Sequence, residues 1–487
     1  MSQEIRNLEP KELWNKFADL NAVPRPSKKE DRVIAFMKNF GESLGLETFE
    51  DEIRNVIIRK PATAGMENRK PIVMQGHLDM VHQKNGDTTF DFDTQGIDMY
   101  VDADWVRALG TTLGADNGLG VAAIMAVLES KTIAHPAIEA LFTIDEETGM
   151  TGALNLKGGI LQGEILLNLD TEEDDEIDIG CAGGIDVTAS AEFDEEDTPD
   201  GSVGYKITVK GLSGGHSGMD IHKGLGNANK IMNRLLFDGF DNFGLQIASI
   251  HGGSLRNAIP RESVAKVIIA SVYDEAFVFD MQQIVNEIKT EFKTTEPKLE
   301  VVFEKLETVP AKVMPSIAQF YFVRAMYTAH NGVYRMSADF DNLVETSNNI
   351  AKVILEDGKL TVQCLTRSSV ETSKFDLANA LRSAFELMGC EVEFSGAYPG
   401  WTPNAQSEIL DVLVPIYEKQ NGDKPRVVAC HAGLECGILG TNYPDMDMIS
   451  FGPTIHGAHS PDERASISSS QKFWKFLIEI LANIPVK

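Results

Sequence analysis

The sequence has few cysteines and no long apolar run. Its five cysteines are scattered and form no C-x-x-C pair, so they predict reduced thiols and do not resemble a zinc ribbon. No segment approaches the roughly 18 consecutive apolar residues that a membrane helix needs. The N-terminal residues are polar and acidic, unlike a signal peptide. We therefore expect a cytoplasmic protein.

Basic residues are also scarce relative to acidic ones. The chain has 44 Lys and Arg against 73 Asp and Glu, a formal net charge of −29. Such a charge argues against nucleic acid and anionic membranes as partners. The densest acidic run, TEEDDEID at 171–178, is predicted to be a solvated loop. At 487 residues, the chain is longer than one hydrophobic core usually supports, so we expect at least two domains.

The first part of the chain has the pattern of an α/β domain. Short apolar runs bounded by turn signals predict buried strands, and a helical pattern lies between two of them at 117–130. The runs are NVIIRK, PIVMQG, IEALFTI and EILLNLD. This alternation predicts a parallel or mixed sheet covered by helices.

The middle of the chain has a different pattern, with longer alternating strands that predict an inserted α+β domain. We place the first domain at 1–186 and 399–487 and the inserted domain at 187–398. Two stretches of the insert are similar, KITVKGLS at 206–213 and KLTVQCLT at 359–366. A duplicated unit and chance both explain this similarity.

Acceptor side chains follow three of the predicted strands. His77 and Asp79 follow the second run, Glu146 and Glu147 the third, and Asp170 the fourth. Ligands of open α/β sheets collect at the carboxyl ends of strands, so we expect these side chains at one edge. Carboxylates and imidazoles together suit zinc, manganese or cobalt.

Each candidate also has a simpler explanation. A strand-end Asp is often a cap or turn residue, and Asp116, which precedes the predicted helix, has the position of a helix cap. A late histidine, His456 or His459, is by itself most simply a surface residue. The set as a whole favours a metal site, because many converging carboxylates without cations are costly to desolvate.

Five ordered motifs resemble the M20 family of two-metal peptidases, and in particular its aminoacyl-histidine dipeptidase branch. They are GHLDMV (76–81), LGADNGLG (113–120), DEETG (145–149), NLDTEE (168–173) and AHSPDE (458–463). Further similar segments include VPRPSKKE, GGHSGMDI, SLRNAIPRE and HAGLECG, so the resemblance spans nearly the whole chain. It implies a catalytic α/β domain with helices on a mixed sheet, interrupted by an α+β lid domain.

The resemblance implies two divalent metal ions, zinc first and manganese or cobalt as alternatives. Asp116 would bridge the two ions, with His77 and Asp170 completing one site. Glu147 and His459, which fits the motif better than His456, would complete the other. The Asp116–Asn117 peptide bond is typically cis in this family.

The resemblance also assigns catalytic roles. Glu146 would be the general base for a metal-bridged water, and Asp79 would buttress His77. His216 would stabilise the oxyanion, within one chain or from a partner subunit. Asn257 and Arg367 would bind the substrate's backbone or C-terminal carboxylate.

The implied activity is hydrolysis of dipeptides, including Xaa-His dipeptides such as carnosine. Short peptides are the expected partners, and a homodimer is compatible with the resemblance. One alternative is an M20-type deacylase of N-acyl amino acids. The alternative from another class is a non-catalytic peptide- or metal-binding protein, which predicts a broken catalytic set, whereas Asp79 and Glu146 are both present.

Overall fold

The chain folds into two compact units in a computed structural model that describes residues 3–340, 342–404 and 406–487. The first unit comprises the residues up to Gly180 together with Trp401–Ala429 and Leu434–Lys487. The second comprises Cys181–Gly400 and the short segment Cys430–Gly433. The sequence pattern predicts that this short segment belongs to the first domain, with the rest of 399–487.

The first unit is built on an eight-stranded mixed sheet. In spatial order its strands are Glu47–Glu50, Val56–Lys60, Ile138–Thr143, Ile72–His77, Ile165–Asn168, Asp447–Ser450, Glu176–Cys181 and Arg426–Cys430. The four strands from Ile138–Thr143 to Asp447–Ser450 run parallel to one another. Three of these four are buried along their whole length, as their continuous apolar runs predict.

Helices accompany this sheet. They are Gln3–Arg6, Lys11–Asn21, Asp31–Ser43, Ala115–Glu129, Glu146–Gly149, Thr151–Asn155, Glu408–Asn421, Glu435–Asn442 and Ile467–Ala482. The sequence pattern predicts one apolar stripe on the helix Ala115–Glu129, but the helix is buried on all sides. Its Gly and Ala residues explain the difference, because small side chains allow neighbouring elements to approach every face.

A small four-stranded sheet completes the first unit. Its strands are Ile455–His456, Arg464–Ser466, Trp105–Ala108 and Met99–Asp102 in spatial order. The first two form an antiparallel hairpin. The loop of this hairpin, residues 457–463, carries His459.

The second unit is built on a nine-stranded sheet in which all neighbours are antiparallel. In spatial order its strands are Glu300–Lys305, Ser202–Lys210, Ser263–Ala270, Gln246–Gly252, Val344–Glu356, Lys359–Ser368, Gly183–Glu192 and Glu391–Tyr398, with Gly332–Met336 beside Val344–Glu356. Its helices are Ala228–Phe243, Asp274–Glu291, Ser316–Thr328 and Glu371–Glu386, with short 3-10 turns at Ile221–Lys223 and Ser271–Tyr273. Two short strand pairs, Glu196–Asp197 with Lys312–Val313 and Gly215–His216 with Ala258–Ile259, flank the sheet.

The two halves of the nine-stranded sheet repeat one arrangement. The first four strands in spatial order form one half and the next four the other. In the first half, the second strand, Ser202–Lys210, is followed along the chain by the helix Ala228–Phe243 and then by the fourth strand, Gln246–Gly252. In the other half, Lys359–Ser368 is followed in the same way by the helix Glu371–Glu386 and the strand Glu391–Tyr398. The two similar stretches, 206–213 and 359–366, begin within these two equivalent strands. This is the arrangement that a duplicated unit predicts.

The structure has no helix long and apolar enough to cross a bilayer in the ranges it describes.

Truncating a core side chain of the second unit should destabilise it markedly. Ile288 is fully buried on the helix Asp274–Glu291 and belongs to the core of that unit. We expect Ile288→Ala to lower the free energy of unfolding by about 2–5 kcal/mol, because lost burial and a residual cavity add. The control Gln283→Ala, exposed on the same helix, should change it by less than about 0.5 kcal/mol. Urea-induced unfolding measures both, and equal effects would contradict this core assignment.

Candidate metal centre and active site

The parallel strands of the first unit bring the predicted acceptors to one edge of the sheet. His77 is the last residue of its strand and is paired in register with Thr143. Glu146 and Glu147 begin the short helix that follows Thr143. On the other side, Gln75 pairs with Asn168, so the strand that precedes Asp170 ends at the same edge.

Asp116 lies between two histidines. Its Oδ1 is 3.2 Å from Nε2 of His77, and its Oδ2 is 3.1 Å from Nε2 of His459. The backbone at Asp116 is not helical, and the Asp116–Asn117 peptide bond is cis. Gly114 occupies the cap position of this helix, whereas the Asp116 side chain contacts the two histidines. Both carboxylate oxygens therefore face imidazoles.

The acceptors fall into two groups that share Asp116. One group is His77, Asp116 and Asp170, and the other is Asp116, Glu147 and His459, each with ligand atoms within 4.8 Å of one another. His459 Nε2 is 2.9 Å from Glu147 Oε2, and His77 Nε2 is 3.6 Å from Asp170 Oδ1. A carboxylate shared between two such groups has the arrangement of a bridging ligand in a two-metal site.

The structure separates the two late histidines. His459 lies in the hairpin loop at a positive φ of 64° and reaches Asp116 and Glu147. His456 instead stacks on Trp105, with ring centroids 5.1 Å apart, and pairs with Glu173 at 3.6 Å. Of the two, His459 is the one that lies among the acceptors.

The charges of this cluster perturb one another strongly. Burial raises the pKa of Asp170 to about 6, although His77 opposes the shift. Burial resists ionisation of Asp116, but hydrogen bonds with His459 and His77 outweigh it and lower the pKa of Asp116. Hydrogen bonds with Asp116 and Glu147 raise the pKa of His459 to about 11. The neighbouring carboxylates thus favour positive charge at His459, and the same negative potential favours a bound cation.

Divalent cations fit this negative potential. Glu147 Oε1 and Asp170 Oδ1 are buried and have no hydrogen-bond partner. The nearby buried Arg25 directs its guanidinium to the carbonyl oxygens of Leu78, Asp79 and Gly114 and not to the carboxylates. Imidazole nitrogens and carboxylate oxygens form the donor set that zinc, manganese and cobalt accept.

Asp79 supports both the histidine and the glutamate pair. His77 Nδ1 lies 3.2 Å from the Asp79 carbonyl oxygen and 3.4 Å from its Oδ1. The backbone N–H groups of Glu146 and Glu147 donate to the Asp79 carboxylate at 3.0 and 3.3 Å. Burial resists ionisation of Asp79, but His77 and the Glu146 N–H outweigh it and lower the pKa of Asp79.

Glu146 lies beside the cluster but outside the two groups that share Asp116. Its Oε2 is 4.0 Å from His77 Nε2. Burial raises the pKa of Glu146 well above its usual range, although the His77 charge opposes the shift. A carboxyl group with a raised pKa is suited to exchange protons near neutral pH.

A sequence model of peptidase family M20/M25/M40 matches residues 73–483. The chain belongs to this family. The predicted M20 resemblance and the α/β fold with a mixed sheet are therefore confirmed. M20 peptidases are hydrolases that use divalent metals.

Individual relatives agree with this membership. The chain is 42% identical over 488 residues to the cytosol non-specific dipeptidase of Escherichia coli K12, which covers 99% of this chain and 100% of the relative. The structure of aminoacylhistidine dipeptidase from Vibrio alginolyticus matches with a TM-score of 0.93 and 44% identity, over 100% of this chain and 99% of that one. Aminopeptidase PepT from Bacillus cereus matches at a TM-score of 0.56 and 16% identity over 98% of both chains, which shows the fold alone.

Glu463 is a further residue of this M20 peptidase's site, and no strand-end pattern in the sequence predicts it. Its buried carboxylate accepts from the backbone N–H groups of Leu113, Gly114, Ala115 and Asp116, at 2.7, 3.0, 2.7 and 3.4 Å. It therefore connects the His459 hairpin to the loop that presents Asp116. Burial raises the pKa of Glu463 to about 7, although these N–H groups oppose the shift. Glu463 is in the AHSPDE motif, but only the fold shows that its partners are backbone groups.

The sequence pattern does not predict Glu435 either. It is buried, and its Oε2 accepts from Gln75 at 2.5 Å and from Thr143 at 2.6 Å. Burial raises the pKa of Glu435 to about 7, although Thr143 opposes the shift. These contacts join the helix Glu435–Asn442 to the two strands that end at His77 and Thr143.

His216 and Asn257 lie close together in the second unit of the peptidase. His216 is on a two-residue strand that pairs it with Ala258, next to the exposed Asn257. His216 Nδ1 accepts from the backbone N–H groups of Gly218 and Met219 at 3.2 and 3.1 Å. In the neutral ring, the remaining hydrogen is therefore on Nε2, which can donate to an oxyanion.

Arg367 is buried in the strand Lys359–Ser368 of the same unit. It donates to the Tyr398 hydroxyl at 2.9 Å, and its buried Nε has no hydrogen-bond partner. Both Arg367 and His216 lie within electrostatic range of the buried His431. Burial, together with the positive charge of Arg367, lowers the pKa of His431 to about 3. His431, which the sequence pattern does not mark as functional, has its Nε2 2.8 Å from Ser347 Oγ.

Removing the carboxylate of Glu463 should loosen metal binding. In Glu463→Gln an amide N–H replaces one acceptor oxygen and opposes the backbone N–H groups of 113–116, so the Asp116 loop shifts. We expect zinc affinity to fall about 10- to 100-fold, as for other groups that orient metal ligands. The control Asp462→Asn changes an exposed neighbour and should leave affinity unchanged. Competition with a chromophoric chelator measures both, and equal affinities would contradict this role.

Proposed function

We propose that this M20 peptidase is a two-metal dipeptidase. The observation that carries the proposal is the Asp116 carboxylate, which presents one oxygen to each of two imidazole-containing groups. The names of the Escherichia coli and Vibrio alginolyticus relatives support a dipeptidase. We place the enzyme in the cytoplasm, by analogy with the Escherichia coli relative. Xaa-His dipeptides such as carnosine are among the substrates we propose.

The two metal ions would be held by five side chains. His77, Asp116 and Asp170 would hold one, and Asp116, Glu147 and His459 the other. Two divalent ions so held acidify water and stabilise the negative charge that develops in amide hydrolysis. We propose zinc as the native metal, with manganese and cobalt as alternatives that accept the same ligands.

Glu146 would transfer the proton of the attacking water to the leaving amine. It lies beside His77 without belonging to the groups that share Asp116. Its raised pKa, caused mainly by burial, suits a group that takes a proton from the attacking water and returns it to the leaving amine. Asp79 would position both partners of this step, because it contacts His77 and holds the backbone of Glu146.

The three residues that we propose for substrate binding, His216, Arg367 and Asn257, all lie in the second unit. His216 would donate from Nε2 to the oxyanion of the tetrahedral intermediate. The unpartnered Nε of Arg367 favours a carboxylate ligand, since a guanidinium binds carboxylates through paired N–H groups. Asn257, exposed beside the His216 strand pair, would bind the peptide backbone.

The two adjacent glutamates should lose different properties when changed. We expect Glu146→Gln to lower kcat at least about 100-fold while the protein retains its metal, because general catalysis is lost. Glu147→Gln should lose one of two metal ions, because a neutral amide is a weaker ligand. Metal analysis after gel filtration and kcat on a dipeptide distinguish them. Full turnover by Glu146→Gln, or full metal content in Glu147→Gln, would overturn the assigned roles.

Metal removal should abolish activity reversibly. After dialysis against a chelator, we expect hydrolysis of alanyl-histidine to disappear and to return with zinc, manganese or cobalt at two ions per chain. The metal that gives the highest kcat/KM at its physiological concentration would be the native one. A panel of dipeptides, tripeptides and N-acyl amino acids completes the test. The dipeptidase proposal fails if no dipeptide is cleaved with any metal.

A further inference from the structure

Arg367 is a buried cation without an anionic partner among the residues that the structure describes. The nearest acidic residues along the two neighbouring strands have other partners. Asp186 lies 3.1 Å from Nε of Arg256, and Glu345 lies 3.4 Å from Nε of Arg335. Desolvating a guanidinium without a carboxylate is costly. Because Arg367 is buried, an anion from outside the described chain would stabilise it.

A row of four residues crosses the sheet at Arg367. Arg367 is paired in register with Ser347 on one side and with Gly184 on the other. Gly184 is paired in turn with Tyr398. Residues directly opposite one another on antiparallel strands place their side chains on the same face. These four residues, here called the Arg367 row, therefore share one face of the sheet.

Gly184 allows Tyr398 to reach Arg367. A Cβ atom at Gly184 would lie 2.6, 2.7 and 2.7 Å from Cε1, Cζ and the hydroxyl oxygen of Tyr398, so the ring lies directly over the glycine. The Tyr398 oxygen accepts from Arg367 Nη1 at 2.9 Å. Within the described ranges, the hydroxyl hydrogen of Tyr398 has no acceptor. A hydroxyl group both accepts and donates, so one donor remains available beside the guanidinium.

The proposed oxyanion donor lies close to the Arg367 row. His431 Nε2 is 2.8 Å from Oγ of Ser347, at one end of the row. The His431 carbonyl oxygen lies against Gly218, where a Cβ atom would be 2.0 Å from this oxygen and 3.2 Å from Cε1 of His216. The row, His431 and His216 therefore form one continuous patch of the second unit.

The C-terminal carboxylate of a dipeptide is an anion that fits this patch. It is ionised at neutral pH. Only the amide nitrogen and one α-carbon separate it from the scissile carbonyl carbon, so it lies close to the oxyanion donor when the substrate is bound. A guanidinium and a phenol hydroxyl can donate to the same carboxylate at once.

We propose that Tyr398 is a specificity-determining residue whose hydroxyl donates to the C-terminal carboxylate of the substrate while its oxygen accepts from Arg367. This inference rests on the proposed dipeptidase function. It adds to the assignment of Arg367 a second donor for the carboxylate, held beside the guanidinium. A substrate with a neutral amide in place of the carboxylate gains much less from this donor, because hydrogen bonds to charged groups are the stronger ones.

The test compares Tyr398→Phe with the wild-type enzyme on two substrates. Alanyl-histidine has the carboxylate, and alanyl-histidinamide has a neutral amide in its place. We expect Tyr398→Phe to raise KM for alanyl-histidine about 10- to 100-fold, the effect of losing one hydrogen bond to a charged group. Because this bond is present in both the ground state and the transition state, kcat should change less than about threefold. For the amide, kcat/KM should also change less than about threefold.

Two further variants complete the comparison. Tyr205→Phe is the matched control, because it removes a hydroxyl that donates to Asp274 elsewhere in the second unit, and it should change KM less than about twofold. Gly184→Ala keeps the Tyr398 hydroxyl but displaces the ring that lies over this glycine. It should therefore reduce the preference for alanyl-histidine over the amide. Circular dichroism and metal content of each variant should match those of the wild type.

The results separate the role of Tyr398 from the proposed function. A Tyr398→Phe variant that keeps the wild-type KM for alanyl-histidine, or that loses equally on acid and amide, would overturn the inference. Wild-type enzyme that cleaves acid and amide equally well would overturn it together with the carboxylate role of Arg367, and would leave the dipeptidase intact. Wild-type protein that cleaves no dipeptide would overturn the proposed function itself.

Discussion

The structure of the first unit depends on the convergence of carboxylates at one edge of a parallel sheet. His77, Glu146, Glu147 and Asp170 all follow strands that end at this edge, and Asp116 joins them from the start of a helix. Like charges held this close in a partly buried site repel strongly. In the ranges that the structure describes, no lysine or arginine forms an ion pair with these carboxylates, and the buried Arg25 hydrogen-bonds to carbonyl oxygens instead. Added positive charge would therefore stabilise the arrangement.

Neutral donors hold the cluster in place. Asp79 is bound by two backbone N–H groups and Glu463 by four. The buried guanidinium of Arg25 nearby donates its hydrogen bonds to backbone carbonyl oxygens. Backbone N–H groups hold a carboxylate in position but leave its net charge in place. A salt bridge would cancel that charge. The supporting residues therefore fix the carboxylates in place and leave their negative potential available for metal ions.

Much of this site was predictable because strand ends in a parallel sheet meet at one edge. Apolar runs predict the strands, and His77, Asp79, Glu146, Glu147 and Asp170 follow those runs directly. The roles of Asp116 and His459 are predicted only by the resemblance to the M20 family. Glu463 could not be found in this way, because its partners are backbone groups about 350 positions earlier in the chain and have no side-chain signature. The sequence predicts a solvated loop for the acidic run at 171–178, but Glu176–Cys181 is a strand of the eight-stranded sheet and Asp178 is buried. Four acidic side chains of the run also pair with Arg426, His456 and Lys472, which are distant in sequence.

The carboxylate of Asp79 positions both of the adjacent glutamates, for which we propose different roles. Consecutive residues on a helix project about 100° apart, so Glu147 reaches His459 at 2.9 Å while Glu146 remains 4.0 Å from His77. Both backbone N–H groups donate to Asp79, which also contacts His77. A displacement of Asp79 would therefore move a proposed metal ligand, the proposed base and the orientation of His77 together. Glu146 and Glu147 have different proposed roles because their side chains point in different directions. The positions of both side chains depend on Asp79, which binds both backbone N–H groups.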